Sequence, residues 1–60
     1  MNEVFETYCK MDNGRWIFVG WHNMRTDFVF AKRETKKFIY VTYKYLTGNI
    51  EEYRYTKGGV

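Results

Sequence analysis

The amino-acid sequence predicts an all-β fold: a five-stranded antiparallel meander, closed into a small curled sheet or an SH3/OB-like barrel. Three observations predict it. Val, Ile, Tyr, Phe, Trp and Thr recur in short runs, and these are the residues that pack well on a pleated surface. Turn-forming residues separate the runs at intervals typical of hairpin connections. No stretch shows the long apolar stripe of an amphipathic helix. A meander this small gains by curling, because curling removes its two unpaired edges.

Each element follows in order. Residues 4–11 form the first run. Asp12-Asn13-Gly14 then supplies Asn-Gly, the strongest short hairpin signal, since both residues tolerate positive φ. The second run covers residues 15–21, and residues 22–26 read as a loop that includes His22. The third run is 27–32, followed by Arg33-Glu34-Thr35-Lys36 as a polar hairpin loop. Residues 31–37 contain good helix formers, but the stretch is too short and too polar to hold a helix. The fourth run is 37–46. Thr47-Gly48-Asn49 makes another turn, and residues 50–56 form the fifth run. Residues 1–56 are expected to make one domain, with 57–60 (Lys-Gly-Gly-Val) a flexible tail.

Loop length fixes which residues face one another. A three-residue Asp12-Asn13-Gly14 loop sets Cys9 opposite Ile17, Thr7 opposite Val19 and Phe5 opposite Trp21. Tyr8 then meets Phe18, and Lys10 meets Trp16, on the other face. A two-residue loop would mix the two faces, because a one-residue slip exchanges inside for outside. An odd loop around Gly48 likewise gathers Ile39, Val41, Tyr43, Tyr53 and Tyr55 on one face. Phe38, Tyr40, Thr42, Lys44 and Arg54 share the other. Aromatics therefore lie on both faces, and they make up 22% of the chain. One small sheet has one core. The second face is then partly exposed, pairs with a second copy to make a homodimer, or binds something else.

Composition bounds the function. At 60 residues only about 60% of the unfolded surface can be buried, which leaves no room for a second core. No apolar run approaches the ~20 residues of a membrane span, and the first residues lack the basic and apolar pattern of a signal peptide. The single Cys9 cannot form an internal disulfide, which fits a reducing, cytoplasmic setting. Residues with AT-rich codons (Phe, Tyr, Met, Ile, Asn, Lys) far outnumber those with GC-rich codons. That balance suits a bacteriophage or low-GC bacterial gene, and hence the host cytoplasm if phage-encoded.

No catalytic constellation emerges, and the expectation is a non-enzymatic protein without cofactors. Cys9 and His22 are the only soft metal ligands, too few for a zinc site. As a Cys–His nucleophile pair they compete with a simpler reading, in which Cys9 is a small buried hydrophobe and His22 an ordinary loop residue. Glu51 and Glu52 are adjacent in a strand and so point to opposite faces.

The charge pattern says more. The chain carries a net +3, and its pI is near 9.1. The excess sits in the middle: Arg15, Arg25, Lys32, Arg33, Lys36, Lys37 and Lys44 against Asp27 and Glu34. Residues 47–60 are balanced, with Arg54 and Lys57 against Glu51 and Glu52. Lys32-Arg33 and Lys36-Lys37 are expected at one hairpin tip. Cations among exposed rings suit single-stranded nucleic acid, since every base has a stackable face and every phosphate attracts a cation. The candidate binding residues are Tyr8, Trp16, Phe18, Phe38 and Tyr40 for stacking, with Arg15, Lys32, Arg33, Lys36, Lys37 and Lys44 for phosphates. Lysines at hairpin tips also protect sheet edges from aggregation, which is the competing reading. Two alternative functions stand beside nucleic-acid binding. One is a phage-type accessory protein that binds and inhibits a host or defence protein. The other is a homo-oligomeric structural protein.

Two stretches resemble known nucleic-acid-binding motifs. Lys36-Lys37-Phe38-Ile39-Tyr40-Val41-Thr42-Tyr43 looks like the RNP1 motif of RNA-recognition modules, but Lys37 and Ile39 stand where that motif has small residues. Trp16-Ile17-Phe18-Val19 and Asp27-Phe28-Val29-Phe30 are similar in spacing to the RNA-binding strands of cold-shock domains, with the second strand one residue out of phase. The chain is assigned to neither family.

Overall fold

A computed structural model describes residues 3–57 and contains five strands: β1 (Phe5–Lys10), β2 (Trp16–His22), β3 (Val29–Glu34), β4 (Phe38–Lys44) and β5 (Ile50–Thr56). All pairings are antiparallel, in the order β2-β1-β5-β4-β3. Hairpins join β1 to β2, β3 to β4 and β4 to β5, and β1 lies against β5. No helix is present among the described residues, and none is long and apolar enough to cross a membrane. Residues 31–37 are strand and hairpin turn; Thr35 closes that turn through two contacts with Phe38. Of the expected tail, Lys57 is tied down: its N–H donates to the Lys37 carbonyl, and its ammonium pairs with Glu34. Residues 58–60 lie outside the described residues.

Two loops repeat one solution. Met11 N–H donates to the Arg15 carbonyl across Asp12-Asn13-Gly14, and Tyr45 N–H donates to the Asn49 carbonyl across Leu46-Thr47-Gly48. The third loop residue in each is a glycine at positive φ, +84° and +93°, which glycine alone adopts without steric cost. The odd count sets the registers expected above. Cys9 faces Ile17, Tyr8 faces Phe18 and Lys10 faces Trp16; Ile39 faces Tyr55 and Tyr40 faces Arg54.

Further from the first loop, the register departs from expectation. A bulge shifts the pairing, so Thr7 faces Gly20 rather than Val19, and Phe5 faces His22 rather than Trp21. Gly20 makes this possible, because at φ +118° it occupies backbone space that L side chains avoid. An added Cβ would also lie 3.2 Å from His22 Nε2. Gly20→Ala should therefore cost about 1–3 kcal/mol, read as a lower denaturation midpoint.

The sheet does not close into a barrel. β2 and β3 form its opposite edges and make no contact with each other. The reason is the connection between them. Residues 23–28 can span ~20 Å when extended, about the width of the sheet at ~4.8 Å per strand. They cross the sheet and cover one face instead of turning back as a hairpin. Met24 packs on the core of Phe5, Ile39, Val41, Tyr43 and Tyr55. The Tyr43 hydroxyl donates to the Arg25 carbonyl, and Arg25 Nη1 donates to the Tyr45 hydroxyl. Phe28, at φ +64°, ends the crossing; its ring lies 5.4 Å from that of Tyr45, and its carbonyl accepts from Lys44 N–H.

Candidate nucleic-acid interface

The face opposite the crossing loop carries the residues of interest. Side chains directly opposite one another in neighbouring strands share a face, and the registers define one row across all five strands: Phe18, Tyr8, Arg54, Tyr40, Arg33. Rings and guanidinium groups alternate along its inner part. Arg33 Cζ lies 4.3 Å from the Tyr40 ring centroid. Arg54 Cζ lies 4.5 Å from Tyr8, 4.8 Å from Phe38 and 5.1 Å from Trp16. Trp16 belongs to β2, yet its ring comes within 6.0 Å of Tyr40 on β4. It leans across β1 and β5 and roofs Arg54. Lys10 sits 5.9 Å from the Trp16 ring and also pairs with Glu52. Lys44 sits 5.5 Å from Phe30.

Arg54 is therefore held in an aromatic cage. Its Nε is buried with no hydrogen-bond partner, and no carboxylate among the described residues pairs with it. Cation–π contacts contribute about 0.5–2 kcal/mol each, depending on solvation, so the rings replace part of the water that the guanidinium lost. The planar guanidinium can stack on three rings where an ammonium could not.

Seven of the sequence-predicted residues meet on this face: Tyr8, Trp16, Phe18, Arg33, Phe38, Tyr40 and Lys44. Four lie elsewhere. Lys32 faces Val41 and so projects on the core side; it and Arg33 are successive strand residues and cannot form one tip cluster. Lys36 and Lys37 occupy the β3–β4 turn, at one end of the strands. Arg15 sits at the β1–β2 turn, at the other end, where its N–H donates to Asn13 Oδ1. Sequence reasoning missed four members of the site, Lys10, Trp21, Phe30 and Arg54. The odd loop around Gly48 puts Arg54 on the same face as Tyr40, but the neutral charge balance of residues 47–60 conceals its role.

The core face is chemically quieter. A cavity of about 300 Å³ lies under the crossing loop, lined by Thr7, Val19, His22, Asn23, Arg25 and the Tyr43, Tyr53 and Tyr55 phenols. The Tyr43 and Tyr55 hydroxyls are 2.8 Å apart and form one chain that ends on the Arg25 carbonyl. Burial raises the Tyr43 phenol above its ordinary value. His22 ends β2 instead of lying in a loop, and its Nε2 donates to the Val19 carbonyl. Cys9 and His22 pair at opposite ends of β1, with Ile17 and Phe5 respectively; that is about 13 Å along a strand, too far for a nucleophile pair. Burial raises the Cys9 thiol. Glu51 accepts from the Tyr45 and Tyr53 hydroxyls on this side, whereas Glu52 pairs with Lys10 on the other. Among the described residues, no three His, Cys, Asp or Glu side chains come together as a metal site would need.

Comparison with protein families, curated proteins and solved structures finds no match to this chain.

Proposed function

We propose that the protein is a non-enzymatic binding module for single-stranded nucleic acid, acting through the face that carries the Phe18-Tyr8-Arg54-Tyr40-Arg33 row. The observation that supports this reading is the alternation of rings and cations across a sheet face that no other part of the described chain covers. Bases need flat apolar surfaces and phosphates need cations at short intervals; the row supplies both at strand spacing. Phe18, 48% exposed, and Trp21, 62% exposed and opposite Glu6 on the same face, lie at one edge, and Phe30, 64% exposed, lies at the other; these are the rings with free surface for stacking. Tyr8, Trp16, Phe38 and Tyr40 are half-buried and serve mainly to hold Arg54 and Arg33 in place. Lys10, Arg33, Lys44 and Arg54 are the phosphate contacts. Stacking contributes ~1–3 kcal/mol per base. Two rings and a few cations thus reach the ~8 kcal/mol of a micromolar site.

The test is a fluorescence titration with single-stranded oligothymidylate longer than the ~4–16 nucleotides that one OB fold occupies. Trp16 lies within the face, so binding should quench the emission. Three or four phosphate contacts predict a log–log salt slope of about −2 to −3. Absence of quenching at low salt would refute the proposal. The runner-up reading, binding of an acidic host protein, draws on the same exposed rings and would then be tested by pull-down.

A further inference from the structure

We infer that the β2 edge pairs with β2 of a second copy of this chain, antiparallel about a two-fold axis at Phe18, so that the two sheets become one. The two edges of the sheet differ. Each edge strand carries one bulge, at Val19 in β2 and at Phe30 in β3, so the difference is charge: β3 carries Lys32, Arg33 and Glu34 in succession, which discourages strand addition. β2 carries no charge from Trp16 through Trp21. Ile17, Phe18, Val19 and Trp21 are all more than two-fifths exposed, with Trp21 at 62%. An uncharged, β-prone run with no proline is the kind of edge that recruits another strand.

The occupant is argued from self-complementarity. With Phe18 on the axis, Ile17 meets the second copy's Val19. Both belong to the core side: Ile17 faces Cys9, and Val19 lines the cavity beside Thr7. Trp16 meets Gly20, the one residue of the strand without a side chain. In a chain with net +3, this uncharged run can approach its own copy without like charges facing each other. An isologous contact closes at two copies, whereas β2 on β3 would continue into a filament and is opposed by the β3 charges. The pairing also joins the two open-face rows end to end at Phe18. It does not depend on what that face binds.

Sedimentation velocity at micromolar to high-micromolar concentration tests the inference without any ligand. The wild-type chain should run as a dimer. Val19→Lys, which sets a charge against the second copy's Ile17, should run as a monomer. Phe30→Lys on the other edge should remain dimeric. Circular dichroism establishes that each variant is folded, and Ile17→Lys replaces Val19→Lys if the latter is not. A monomeric wild type, a dimeric Val19→Lys chain, dissociation by Phe30→Lys, or a concentration-dependent ladder of larger species would each overturn it.

Discussion

Tyr43→Ala is expected to leave the chain unfolded at room temperature. Tyr43 is 1% exposed, the largest side chain so fully buried, and it joins both halves of the core. Its ring meets Tyr53 edge-on at 5.6 Å. Its hydroxyl bonds the crossing loop at the Arg25 carbonyl and β5 at the Tyr55 hydroxyl. Truncating a buried aromatic costs about 3–5 kcal/mol. A domain of this size holds only about 3–9 kcal/mol in total, so the loss is comparable to the whole. Tyr43→Phe separates packing from hydrogen bonding. It keeps the ring and removes the link to the loop, leaving the buried Tyr55 hydroxyl short of a partner at about 1–3 kcal/mol and freeing the part-buried Arg25 carbonyl. Denaturant unfolding followed by far-UV circular dichroism should show a lowered but cooperative transition for Tyr43→Phe and none for Tyr43→Ala. A Tyr43→Ala chain that still unfolds cooperatively near the wild-type midpoint would mean that the crossing loop does not hold the core.

Much of this fold could be read from residues 12–14 and from an odd loop around Gly48, because an odd loop sets the faces; the second loop spans 46–48, one residue before the expected 47–49. The same reading fails at Gly20 for a physical reason. A glycine inside a strand signals a bulge or a close approach without saying which, and the register past it depends on His22 packing back against Val19. Residues 22–26 read as an ordinary loop, and nothing in their composition shows that they keep the sheet from closing. Only the burial of Met24 and the Arg25 contacts show them crossing the core. In the candidate site, the rings were legible from period-two alternation. The cations were less so, since proximity along the chain is not proximity on a face. Lys32 and Arg33 are neighbours in sequence and point apart. Arg54 lies far along the chain from Tyr8 and Trp16, yet it sits between Tyr8 and Tyr40 and under the Trp16 ring, because β5 is the central strand.

Arg54→Met should weaken oligothymidylate binding at least tenfold while changing the melting temperature only modestly. The two halves of this expectation come from one geometry. Arg54 buries Nε without a partner, and an unpaired buried polar group costs about 1–3 kcal/mol. Methionine fills a similar volume, keeps contact with Tyr8, Trp16 and Phe38, and carries no such cost. It also forfeits the cation–π contacts with those three rings, so the two stability effects oppose each other. Binding calls for arginine: the guanidinium is the central cation of the row, and losing one charge-assisted phosphate contact removes about 1.5–3 kcal/mol, tenfold or more in affinity. The salt slope should fall by about 0.7, the contribution of one phosphate contact on a single strand. Arg54→Lys separates charge from shape. It preserves the charge and the salt slope but cannot stack on three rings, so it should bind more weakly than the wild-type chain and more tightly than Arg54→Met. Fluorescence titration at several salt concentrations, beside thermal melts of the three proteins, checks every part. If Arg54→Met binds as tightly as the wild-type chain with an unchanged slope, the cage is a packing feature and the phosphate contacts lie with the Lys36-Lys37 turn.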